Sequence, residues 1–70
     1  MKVHIVSSED AIEIVEHPRE SERGLFLVDM SRWTTPCWLA IDNTTGHAFA
    51  KKFDSRELAE MWLKDGTGAN

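Results

Sequence analysis

The chain has 70 residues, of which 29% are charged, and its formal net charge is −4. A chain of this length forms one domain, because it buries only about 60% of its unfolded surface and has no room for a second core. Its single cysteine, Cys37, excludes an internal disulfide, and no Cys/His cluster provides a metal site. Stability must come from packing, to which three Trp and three Phe contribute. Self-association is an expected source of further stability.

Charge and hydropathy indicate a location and a type of partner. No apolar run flanked by Lys or Arg has signal-peptide length, and none approaches the ~18 apolar residues of a membrane span. We therefore expect a cytoplasmic protein with no membrane partner. Residues 1–24 hold six acidic residues against three basic ones. Such a surface repels phosphate and favours a basic partner, although an acidic face that is simply solvated needs no partner.

The first third of the chain predicts a strand and then a helix. Residues 2–6 are β-branched and alternating, and residues 7–10 supply an N-cap hydroxyl followed by acidic residues. A helix over 8–17 would end near Pro18. It would gather apolar residues on one face: Ala11, Ile12 and Val15, with Ile14 beside them. A strand is the alternative for this segment, because its β-branched residues partly alternate and like charges recur at i, i+4.

A polar loop and a buried strand follow. Residues 18–24 contain no aliphatic or aromatic side chain and end in glycine, which is typical of a loop. Residues 25–30 are apolar on both faces until Asp29. A strand with this pattern is buried on two sides, so we place it in the interior of the sheet.

Residues 37–53 predict a β-hairpin whose turn spans 43–46. If Gly46 adopts the left-handed conformation after a type I turn, Ile41 lies opposite Phe49. This register, which we prefer, collects the larger apolar side chains on one face: Cys37, Leu39, Ile41, Phe49 and Phe53. It leaves Trp38 and the alanines on the other face. A four-residue loop would instead group both phenylalanines with Trp38 and Ala40.

The last element is an amphipathic helix. Asp54 and Glu57 have the spacing of a capping box, so we expect Asp54 to be the N-cap. Leu58, Met61 and Trp62 form the predicted buried stripe, with Ala59 at its edge, and Arg56 and Glu60 form an i, i+4 pair on the exposed side. Gly66 ends the helix, which closes a domain over 1–66, and 67–70 form a frayed tail.

These elements define the expected fold. We predict an α+β domain of order β-α-β-β-β-α with a small, mostly antiparallel sheet. The C-terminal helix packs on one face of that sheet, on the side of Leu39 and Ile41. The order over 8–64 resembles that of double-stranded-RNA-binding domains.

No catalytic or cofactor motif occurs in the sequence. The histidines at 4, 17 and 47 belong to separate elements and lack the close spacing of metal ligands. Cys37 has no base or cation that can be assigned to activate it, so we interpret it as a core thiol. Glycine-rich phosphate-binding motifs and nucleophile-elbow motifs do not occur. We therefore expect no enzyme, no cofactor and no metal.

Protein recognition is the function that the sequence favours. We expect a small acidic binding module or inhibitor, with Arg32, Trp33 and Trp38 as exposed anchors and Glu13 and Glu16 as acidic contacts for a basic protein. The alternatives are that the 8–17 segment covers Trp38 and that Trp33 covers the core. A nucleic-acid-binding domain is a second interpretation, supported by the element order and by Lys51, Lys52 and Arg56. Nucleic acid is a disfavoured partner, however, because Glu57, Glu60 and the net negative charge oppose phosphate.

Overall fold

The computed structural model describes residues 3–30 and 38–65. Its elements are β1 (Val3–Ile5), α1 (Ser8–Glu16), β2 (Leu25–Asp29), β3 (Trp38–Asp42), β4 (Phe49–Phe53) and α2 (Arg56–Lys64). The predicted order and the α+β class are confirmed. Residues 8–16 form a helix and not a strand, and Ser7 caps it by accepting a hydrogen bond from the amide of Asp10 at 3.2 Å. The predicted end at Gly66 and the tail over 67–70 lie outside the described residues.

The four strands form one sheet in the order β1-β2-β3-β4. β1 and β2 are parallel, since α1 carries the chain from the end of one to the start of the other, and the remaining neighbours are antiparallel. The mostly antiparallel sheet is thus confirmed. β2 lies inside the sheet, and its first four residues are buried. This agrees with the prediction of an interior strand that is covered on both sides.

The two helices cover opposite faces of the sheet. One core cluster contains Ala11 and Ile14 of α1 with Phe26, Val28 and Ile41. The other contains Ala59 and Leu63 of α2 with Leu25, Leu27 and Ala40. Side chains of β2 alternate between the clusters because successive residues of a strand point to opposite sides. We call these sides the α1 face and the α2 face.

The hairpin register differs by one residue from the one we preferred. Asp42 lies opposite Phe49, and Trp38 lies opposite Phe53. The prediction that Ile41 faces Phe49 is therefore wrong, and the alternative grouping is the one found. Gly46 has the predicted left-handed backbone, with φ of 86°, but Ala48 also has positive φ, at 51°. This second left-handed residue lengthens the connection, and every side chain of β4 changes face as a result.

The register also determines where α2 packs. α2 lies on the face of Trp38 and Ala40, so its predicted position over Leu39 and Ile41 is wrong. The helix begins one residue later than expected, because Ser55 is the N-cap and accepts from the amide of Leu58 at 3.2 Å. Asp54 is therefore not the capping residue that the sequence predicted.

The buried stripe of α2 differs as well. Ala59 and Leu63 are buried at 0% and 3% exposure, whereas Leu58 and Met61 are 49% and 57% exposed. Of the predicted stripe, only Trp62 packs against the core, with its ring centroid 5.7 Å from that of Phe53. The sequence thus predicted the helix but not its rotation about its own axis. The pair of Arg56 and Glu60 is confirmed at 2.9 Å.

A buried amide fixes the loop before β2 to the hairpin. Asn43 is fully buried, and its Nδ2 donates to the carbonyls of Pro18 and Glu22, both at 3.0 Å. Its backbone amide donates to the carbonyl of Gly24 at 2.8 Å. Arg23 stabilises the first of these loops internally, since its Nη1 donates to the Pro18 carbonyl at 2.7 Å. The bonds of Asn43 link the two loops at one end of the sheet.

Candidate functional site

An apolar groove of about 230 Å³ lies beside α1, on the α1 face of the sheet. Helix α1 contributes one wall. The other wall consists of Val28 of β2, Met30 directly after β2 and Leu39 of β3. The described lining residues are Ser8, Ala11, Ile12, Val15, Glu16, Val28, Met30 and Leu39. We call this concavity the α1 groove. Its surface is almost entirely apolar.

The groove exists because α1 has more apolar side chains than it buries. Ala11 and Ile14 face the sheet and are 4% and 7% exposed. Ile12 and Val15 lie further around the helix, as the turn of 3.6 residues requires, and are 58% and 46% exposed. α1 packs chiefly against β2 and leaves the neighbouring part of the α1 face without a described helix. The two exposed side chains therefore border an open apolar surface.

The charge of α1 has one sign. Its ionisable residues are Glu9, Asp10, Glu13 and Glu16, all of them exposed, and no basic residue accompanies them in the helix. Glu16 lies at the rim of the α1 groove. Asp10 and Glu13 line a second groove, of about 380 Å³, on the other side of the helix, together with Glu20 and Glu22. α1 thus separates the apolar α1 groove from a groove of mixed lining that contains four acidic residues.

The structure brings some of the predicted contact residues to this surface and not others. Glu16 lies at the rim of the α1 groove, whereas Glu13, which is also exposed, lines the second groove on the other side of the helix. Trp38 is half-buried and packs with the α2-face cluster, and the Arg56 guanidinium lies 6.0 Å from its ring centroid. The expectation of a solvent-facing Trp38 is wrong because the register places it beneath α2, and α2, not the 8–17 segment, covers it. Arg32 and Trp33 lie outside the described residues.

Sequence reasoning did not identify Ile12 and Val15 of the groove as exposed residues. The periodicity of α1 assigned both to the core together with Ala11. A signal was nevertheless present, because the four apolar side chains span an arc of about 160°, which is wider than the stripe that a short helix packed on one strand buries. Ile12 and Val15 lie at one side of this arc and remain exposed.

The groove has the chemistry of a binding surface. Its polar lining residues in the described chain, Ser8 and Glu16, lie eight positions apart on α1, which separates them by about 12 Å along the axis. They are too far apart to act on one reacting group. Within 3–30 and 38–65, no three His, Cys, Asp or Glu side chains are arranged to hold a metal ion. Neither helix in those ranges is long and apolar enough to cross a membrane.

The three cations that support the nucleic-acid interpretation, Lys51, Lys52 and Arg56, do not form one basic face. Lys51 and Lys52 are consecutive in β4 and so point to opposite sides of the sheet. The Lys51 ammonium lies 5.6 Å from the centroid of the Phe53 ring, and Arg56 is paired with Glu60. A continuous basic surface over phosphates, which the nucleic-acid interpretation requires, is not assembled from these residues.

Similarity to known proteins adds no assignment. No protein-family model matches the chain, and neither a curated protein nor a solved structure has significant similarity to it.

Proposed function

We propose that this chain is a small protein-binding module, an adaptor or inhibitor that acts without catalysis, and that its partner docks in the α1 groove. The observation that carries the proposal is the exposure of Ile12 and Val15, at 58% and 46%, along an apolar concavity. Contiguous exposed apolar surface around a concavity is typical of interaction sites on small soluble domains. We also propose a cytoplasmic location, since a chain with one cysteine suits a reducing compartment.

The size of the groove supports a protein partner over a small metabolite. Pockets that enclose small molecules usually measure about 300–1,000 Å³ and present several converging polar groups. The α1 groove measures about 230 Å³ and has two polar residues, at its ends. A volume of this size accepts one or two apolar side chains, which is how a partner anchors at an interface hot spot.

Capture from the source organism with matched variants tests this proposal. Ile12→Ser/Val15→Ser removes the apolar border of the groove, and Leu58→Ser/Met61→Ser removes a pair with the same i, i+3 spacing on α2. The pairs are matched in exposure: Ile12 and Val15 are 58% and 46% exposed, and Leu58 and Met61 are 49% and 57% exposed. We expect a protein that is retained by the wild type and by the α2 variant and lost from the α1 variant. Equal retention by all three chains would contradict docking in the groove.

A further inference from the structure

We infer that the segment docking in the α1 groove is an amphipathic helix that carries lysine or arginine beside its apolar stripe. This inference rests on the proposed function and specifies the chemistry of the partner. It follows from three properties of the α1 face: its width, the shape of its exposed apolar border and the sign of the charge on α1.

The width of the sheet leaves space for a second helix. Four strands spaced about 4.8 Å apart span about 14 Å between the outer strand axes, and packed helices lie about 8–10 Å apart. α1 packs chiefly against β2, and no other described helix lies on the α1 face. A helix placed beside α1 would lie over β3 and β4. There it would cover Leu39, which is half-buried and packs against the α1-face cluster.

The border of the groove has the form that helices use to pack on one another. Ile12 and Val15 are separated by three positions and form a ridge along α1. Met30 and Leu39 provide an apolar surface between this ridge and the rest of the sheet. A partner helix with apolar residues at i, i+3 and i+4 would place its side chains on both sides of the ridge, which is the helix-in-groove mode of recognition.

The charge of α1 determines the partner's polar residues. All four ionisable side chains of α1 are acidic, and Glu16 borders the groove itself. Lysine or arginine on the partner's α1-facing edge would pair with Glu16, because Asp10 and Glu13 lie on the other side of the helix. The negative charge of the whole helix would still speed association at low salt. A two-fold pairing of this face with a second copy of the chain suits the site poorly, because it would bring one acidic α1 against another. Lys52 of β4 pairs with Leu39 of β3 and lies at the far side of the same face. Its charge disfavours a partner helix that is basic on both edges.

Binding of defined peptides to the isotopically labelled full chain, followed by NMR, tests the inference. The first probe is a helical peptide of about four turns with a leucine stripe flanked by lysine. The second has glutamate in place of each lysine. The third has the composition of the first in an alternating order, which favours a strand. The Ile12→Ser/Val15→Ser and Leu58→Ser/Met61→Ser chains are titrated in parallel.

We expect the leucine–lysine helix to shift the amide signals of Ile12, Val15 and Leu39. Its affinity should exceed that of the leucine–glutamate and alternating peptides by about tenfold or more, and the α1 variant should lose a similar factor. The α2 variant should bind as the wild type does. This control matters because a cationic peptide also associates loosely with any acidic protein.

Four results would overturn the inference: failure of the leucine–lysine helix to bind, equal binding of the glutamate peptide, tighter binding of the alternating peptide, or the same shifts in the α1 variant as in the wild type. The capture experiment separates these failures from that of the proposed function. If a protein is captured and its retention requires Ile12 and Val15, the docking site is supported even where no basic helix binds. If no such protein is captured, both proposals fail.

Discussion

The two leucines of α2 provide a direct comparison of burial within one helix. Leu63 is 3% exposed and belongs to the α2-face core, whereas Leu58 is 49% exposed, although the sequence pattern assigned it to the buried stripe. Replacement of either by alanine changes helix propensity only slightly and in the same direction. The difference in stability between Leu63→Ala and Leu58→Ala therefore reports the rotation of the helix about its axis.

The expected magnitudes follow from these exposures. Leu63→Ala removes a fully buried side chain and leaves a cavity, which costs about 2–5 kcal/mol. Leu58→Ala removes a side chain that is already half in water, so we expect about 0.5–1 kcal/mol. A domain of this length has roughly 3.5–10 kcal/mol of stability in total. Leu63→Ala should therefore consume a large fraction of it and lower the Tm by at least about 8 °C.

Urea and thermal unfolding, followed by circular dichroism, measure both effects. The free energies of unfolding are compared only between variants that have the same m-value, the slope of the free energy against urea concentration. A changed m-value would indicate a changed denatured state. An equal loss in the two variants, or a larger loss for Leu58→Ala, would refute the observed rotation and restore the stripe that the sequence predicted.

Four further substitutions test the local structure at three residues. Asn43→Ala should destabilise the protein by about 1 kcal/mol. It removes two hydrogen bonds that Nδ2 donates, which is unfavourable, but it also removes a buried Oδ1 that has no partner among the described residues, which is favourable. Asn43→Asp should cost more in a urea titration, because a carboxylate cannot donate to those carbonyls. Ser55→Ala should remove the α2 cap at about 0.5–2 kcal/mol and speed hydrogen exchange at the amide of Leu58, and unchanged exchange would refute this cap. Ala48→Gly should raise the free energy of unfolding by about 1 kcal/mol by relieving the left-handed backbone, and a lower value would contradict that conformation.

The order of the elements was predictable because its signals are local. Ser7 followed by acidic residues defines the start of α1 whatever lies nearby, and the unbroken apolar run of β2 defines an interior strand without knowledge of its neighbours. The predicted left-handed Gly46 is likewise a property of a single residue in a turn. These local predictions agree with the structure because the tertiary contacts stabilise the same local conformations.

The face of the sheet on which α2 packs was not predictable in the same way. It depends on whether one residue, Ala48, adopts a backbone conformation that alanine disfavours. A one-residue difference there transfers Phe49 and Phe53 to the face of Trp38, and α2 follows them to that face. The predicted acidic contacts, Glu13 and Glu16, do not depend on this register because they belong to α1.

Site-specific photo-crosslinking tests the docking surface most directly. A benzophenone amino acid is introduced at position 12 or, as the control of matched exposure, at position 61 in cells of the source organism. The proposed docking in the α1 groove predicts a discrete protein adduct from position 12, attached at a segment with an apolar stripe and flanking lysine or arginine, and none from position 61. The same adducts from both positions, or an adduct from position 61 alone, would contradict it.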